Sequence, residues 1–140
     1  MDDIYNLSRF LDAQSTSYSS ALLEIRNGRK TTHWMWYIFP QIAGLGRSHI
    51  SEYYAIKSLD EAKAYINNSV LSYRLREMCQ ALLVHSGKNI KDILGSVDSM
   101  KLKSSMTLFD LVSPNDIFAE VLETYFASLR DTNTLLRIIE

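Results

Sequence analysis

Cysteine is almost missing. Cys79 is the only one in 140 residues, so no disulfide can close within the chain and a disulfide-built secreted scaffold is excluded. An excess of one charge is missing too. Fifteen Lys and Arg stand against sixteen Asp and Glu, a net charge of -1, which speaks against a strongly basic nucleic-acid binder. The longest apolar run, Trp34 to Phe39, falls far short of the roughly 20 residues that cross a bilayer, so no membrane partner is expected. The first residues, Met1-Asp2-Asp3-Ile4-Tyr5-Asn6, are acidic and polar where a signal peptide would be basic and then apolar. The expected location is the cytoplasm.

Familiar chemical motifs are lacking as well. Gly44-Leu45-Gly46 is not followed by the third glycine of a dinucleotide fingerprint, and no phosphate-binding P-loop occurs. His33, His49, His85 and Cys79 do not have zinc spacing, and no Gly-x-Ser-x-Gly elbow exists. Neither a metal nor a cofactor is therefore expected.

What is present is an apolar share of 46%, enough for a core and too high for intrinsic disorder. Length predicts one domain over residues 1–140. Periodicity is helical. Tyr18, Ala21, Leu22 and Ile25 form one stripe, with Gly28 placed to end that helix, and Asn6 is expected to cap a separate short helix through Leu11. Ser58-Leu59-Asp60-Glu61 has capping-box spacing. Leu71, Leu75, Met78 and Leu82 predict a further helix ending at Gly87, and Ile90 to Leu94 a short turn closed by Gly95. Asp98 is expected to cap the helix of Leu102, Met106 and Phe109, Ser113 the helix of Ile117 to Leu129, and Asp131 the last one. The predicted class is all-α, one compact domain of seven to nine short-to-medium helices around an aromatic-rich central segment. Whether Trp34 to Phe39 is helix or strand, periodicity does not decide.

That segment, Gly28 to Gly46, holds both tryptophans, two residues apart, preceded by Arg29, Lys30 and His33 and followed by Pro40 and Gln41. One reading is a pocket wall. Indole faces of Trp34 and Trp36 stack a ring or a cation, Arg29 and Lys30 meet an anion, and His33 titrates near neutrality. The other is a buried element whose aromatics are core. A second candidate is Lys101 to Thr107, where Lys101 and Lys103 lie among Ser104, Ser105 and Thr107. Cations beside hydroxyls can hold a phosphate or carboxylate, whereas small residues alone would serve helix packing. Cys79, beside Met78 within a helix, reads as an ordinary buried thiol.

Several strings go together: Arg9-Phe10, Glu24-Ile25-Arg26, His33-Trp34-Met35-Trp36-Tyr37, Phe39-Pro40-Gln41 and Ser104 to Phe109. With them the chain resembles, over nearly its whole length, the bacterial family catalogued as domain of unknown function 1810. The resemblance implies a mainly helical single domain and no established activity. That family often carries a His-Pro pair where this chain has Asn67-Asn68-Ser69, so nothing functional is placed there. Some members are labelled calpastatin, a long, disordered, charged inhibitor, which a chain this apolar cannot be. Ser51-Glu52-Tyr53-Tyr54 is also similar to the Ser-Glu-x-Tyr string of the NADAR superfamily, helical enzymes acting on ADP-ribose-like N-glycosides. That similarity implies a catalytic role for Glu52; the alternative is a solvated glutamate in the first turn of a helix.

Two functions follow as expectations. The first is a site for an anionic, ring-bearing small molecule of nucleotide or ADP-ribose type. It would be built from Arg29, Lys30, His33, Trp34, Trp36, Gln41, Lys101, Lys103 and Ser105, with hydrolysis through His33 or Glu52. The second is a protein-interaction module using the same aromatics as an exposed patch.

Overall fold

Residues 3–139 are described by the computed structural model. Among them the chain forms helices and no strand: α1 (Ser8–Arg26), α2 (Met35–Ile38), α3 (His49–Tyr53), α4 (Leu59–Asn67), α5 (Ser69–Leu83), α6 (Ile90–Leu94), α7 (Ser96–Val112), α8 (Ile117–Phe126) and α9 (Thr132–Ile139). The class is all-α, as the periodicity predicts. Ile42 and Ile56 meet in one isolated parallel bridge, which ties the loop after α2 to the loop before α4. Trp34 to Phe39 resolves as the single turn α2, and Phe39, held out of helix by the following proline, has φ -123° and ψ 72°. No described helix is long and apolar enough to cross a membrane.

The core is organised by α7, which packs on α8, α4, α6, α9 and α2. Leu102, Met106, Leu108 and Phe109 are fully buried there, and Ser99, Ser104 and Ser105 let neighbouring helices approach closely. The same core takes in Phe10 and Ile25 of α1, Tyr65 of α4, Leu75 and Cys79 of α5, and Phe118 and Val121 of α8. Cys79 is a buried free thiol whose pKa burial pushes up, in contact with the Met106 sulfur at 3.7 Å, as expected for packing.

Local signals set several boundaries. Ser58 Oγ accepts from the Glu61 amide at 3.1 Å, Gly95 ends α6 at φ 85°, and Asp131 accepts from the Thr134 amide at 2.9 Å. Four expectations need correction. The two predicted N-terminal helices are one, because Gln14, 1% exposed, donates to Tyr37 O at 2.7 Å and carries the polar middle of α1 across the core. Asn6 is no cap: it adopts φ 52°, and the Asp3 carboxylate accepts from the Leu7 and Ser8 amides. Asp98 lies inside the first turn of α7, where no side chain caps the helix. Asp116, not Ser113, caps α8, and its carboxylate also takes Ser113 Oγ at 2.7 Å and Arg76 Nη2 at 2.7 Å. Gly87 falls in the turn beyond α5.

A buried ion pair fastens the two ends of this arrangement. Arg9, 6% exposed, donates Nη2 to Glu61 Oε2 at 2.5 Å and to Ala55 O at 2.9 Å, and Nε to Tyr53 O at 2.8 Å. Its Nη1 reaches Tyr5 O at 2.6 Å and Asn6 O at 2.8 Å. Glu61 in turn accepts from the Lys57 amide at 3.0 Å. Removing one partner of a buried pair strands the other charge, so Glu61→Ala is expected to lower unfolding free energy by about 3–5 kcal/mol in urea titration. A loss of only about 1 kcal/mol, typical of a surface pair, would show that the guanidinium finds water instead.

Candidate functional site

The link from α1 to α2 has no regular structure, and one carboxylate shapes it. Glu24 accepts from the Thr31 amide at 2.7 Å, the Thr32 amide at 3.0 Å, Thr32 Oγ1 at 2.5 Å and the Trp34 indole Nε1 at 3.0 Å. Partial burial pushes its pKa up, but the donors from Thr32, Thr31 and Trp34 outweigh this and hold the carboxyl at about 2. The Lys30 amide is fixed from the other side, donating to Ile93 O at 2.7 Å. Trp34 is thereby sunk into the core, 1% exposed, beside Phe39.

Lys30 then turns its ammonium 5.1 Å from the Trp34 ring centroid and 2.9 Å from Asp98. Lys101, one turn further along α7, lies 3.4 Å from the same carboxylate and 4.5 Å from the centroid of the Trp36 ring. These groups line a cleft of about 390 Å³ with His33, Met35 and the start of α7 at Gly95 to Val97. The two ammonium groups outnumber the one carboxylate between them, and exposed His33 stands at the rim.

On its other side Trp36 walls a second, more enclosed cleft of about 270 Å³, with Gln41, Gly44, Ser51, Glu52 and Tyr54. Ser48 caps α3 and so sets Ser51 and Glu52 at its edge. The Lys57 ammonium donates to Glu52 O at 3.1 Å and Ala55 O at 2.9 Å, closing that helix from below. The Glu52 carboxylate makes no hydrogen bond or ion pair with a described residue. Gly44, at φ 96°, faces Arg137 of α9, whose guanidinium donates to Gly44 O at 3.0 Å. A Cβ at Gly44 would stand 2.7 Å from that movable guanidinium, but the φ of 96° is itself what calls for glycine.

The structure thus brings Lys30, His33, Trp36 and Lys101 to one cleft and Trp36, Gln41 and Glu52 to its neighbour. Other expected residues lie elsewhere. Trp34 is core. Arg29 lines an adjoining polar recess with Lys30 and Lys91. Lys103 lines neither cleft, and the hydroxyls around it bind α9: Ser104 meets Thr134 Oγ1 at 2.8 Å, and Thr107 accepts from the Asp131 amide at 2.9 Å. Ser105 is fully buried, its hydroxyl without a partner. Sequence reasoning missed Asp98 as the shared counter-ion, although its i, i+3 spacing to Lys101 is a readable signal. Glu24, eight residues before Thr32, carries none.

A family model for proteins of unknown function, DUF1810, matches residues 4–138. The chain belongs to that family. A DUF1810-sized fold recurs in the crystal structure of the conserved hypothetical protein Rv1873 from Mycobacterium tuberculosis, at TM-score 0.95 and 40% identity, covering 99% of each chain. No curated protein matches. These likenesses bear out the family resemblance and assign the DUF1810 clefts no ligand.

Replacing Glu24 tests the frame of the site. In Glu24→Ala the partly buried indole N–H of Trp34 loses its acceptor, at a cost of about 1–3 kcal/mol, while the exposed Thr31 and Thr32 amides turn to water. Because the folded pKa lies below the ordinary 4.5, the stabilisation is complete above 4.5 and is lost as pH falls from there toward about 2. The gap in melting temperature between wild type and Glu24→Gln is therefore expected to narrow across that window; a gap independent of pH would refute the assignment.

Proposed function

We propose that the protein binds a small anionic, ring-bearing ligand of nucleotide type around Trp36. The observation that carries this reading is that half-buried Trp36 walls two clefts at once, with the Lys101 ammonium 4.5 Å from its ring. A planar group laid against the indole gains stacking area, while a phosphate or carboxylate attached to it meets Lys101, Lys30 and His33. Asp98 holds both lysines in place before the ligand arrives and leaves one positive charge uncompensated. Buried ammonium stems are pre-ordered, so less entropy is lost on binding.

The neighbouring cleft supports a hydrolytic extension. Glu52 stands there with a free carboxylate, beside Gln41, Ser51 and the Trp36 wall. A ligand spanning both clefts would present its linkage near that carboxylate, which as a general base must reach the attacking water at about 3 Å. A docking role has one observation in its favour: Val97 and Met100, 70% and 51% exposed, flank the cationic cleft. Burial of Trp34 removes one of the two indoles that an aromatic patch would use.

Calorimetric titration with AMP and ADP-ribose, followed in parallel by tryptophan fluorescence, tests the proposal. Trp36→Ala and Lys101→Ala are each expected to weaken binding at least tenfold, about 1.4 kcal/mol. Glu52→Gln is expected to keep binding and to abolish any release of ribose-containing products from ADP-ribose. Absence of binding by both nucleotides at millimolar concentration would sink the reading.

A further inference from the structure

We infer that the recess on the far side of Lys30 is a second anion subsite, so that the ligand taken up beside Trp36 carries a chain of at least two phosphoryl groups. The inference rests on the nucleotide reading and specifies its substrate class.

The recess, of about 470 Å³, is lined by Arg29, Lys30, Lys91, Asp92 and Ile93 to Gly95. Three of its lining residues, Lys30, Leu94 and Gly95, also line the cleft at Trp36, so the two hollows meet along one edge. Lys30 stands on that edge. Its side chain is 6% exposed and its pairing with Asp98 occupies one of three ammonium hydrogens. The remaining donors are available to an anion on either side.

Beyond it, Arg29 and Lys91 make no ion pair with a described residue, although Asp92 lies at the same rim. Across both hollows the fixed charges are Arg29, Lys30, Lys91 and Lys101 against Asp92 and Asp98. A protein with net charge -1 has therefore gathered surplus cations into one continuous track. Like charges held close repel unless an anion lies between them. One phosphoryl group bound at Lys101 and Lys30 would leave Arg29 and Lys91 unanswered. A second, bonded to the first, would reach them across Lys30, where the planar guanidinium can take two of its oxygens.

The measurement is calorimetry with AMP, ADP and ATP in low salt on wild type, Lys91→Glu and Arg29→Ala, both substitutions falling on exposed side chains. Wild type is expected to bind ADP and ATP at least tenfold tighter than AMP. Lys91→Glu is expected to retain AMP affinity and lose that gain, and Arg29→Ala to reduce it. AMP binding with no gain for ADP or ATP, or a gain that survives Lys91→Glu, overturns the second subsite and leaves the Trp36 site standing. Failure of AMP, ADP, ATP and ADP-ribose alike removes the site and the inference with it. Tighter binding of a thymidine decamer than of ATP, with a steep salt dependence, would make the track a strand-binding surface and overturn the inference.

Discussion

The buried guanidinium of Arg9 is the constraint on which the rest of the molecule hangs. Every N–H it has is spent, on Glu61, Ala55, Tyr53, Tyr5 and Asn6. Those partners belong to the N-terminal loop, the end of α3, the link after it and α4, segments too short to organise themselves. A single charged fork converts them into one surface because unsatisfied carbonyls in the interior are costly and the guanidinium donates to four of them at once. Hydrophobic burial supplies the bulk of the free energy, through Phe10, Tyr65 and the α7 stripe, but it does not choose among registers. The ion pair does.

Charge plays a second, opposite part at the clefts. The chain as a whole is nearly neutral, and Arg9–Glu61 and Arg76–Asp116 are close, matched pairs. Around Lys30 the matching is incomplete: one Asp98 serves two lysines, and both are shielded by indole rings that lower the local polarity. Such a group of charges is stable without a ligand and still unsatisfied. That combination separates it from the ion pairs that only hold helices together.

How far the sequence spoke depended on range. Signals confined to one turn were readable: the Ser58 cap, Gly95 at the end of α6, the Asp131 cap and the apolar stripes of α5 and α7. Where two local signals competed, the choice failed. Ser113 and Asp116 both suit a cap, and only the distant Arg76 favours the carboxylate. The polar middle of α1 looked like a break because the partner of Gln14 lies on α2. At the site, density of cations and aromatics pointed to Lys30, His33, Trp36 and Lys101, which line one cleft. Density could not tell Trp34 from Trp36, since what buries one and half-exposes the other is the Glu24 carboxylate a helix away. Nor could it show that the hydroxyls of α7 are taken by α9.

The contact between Arg137 and Gly44 spans 93 residues. During synthesis the loop at Gly44 leaves the ribosome long before the helix that clasps it. The enclosed cleft can thus be lined, from Trp36 to Lys57, before the clasp on its Gly44 loop is made.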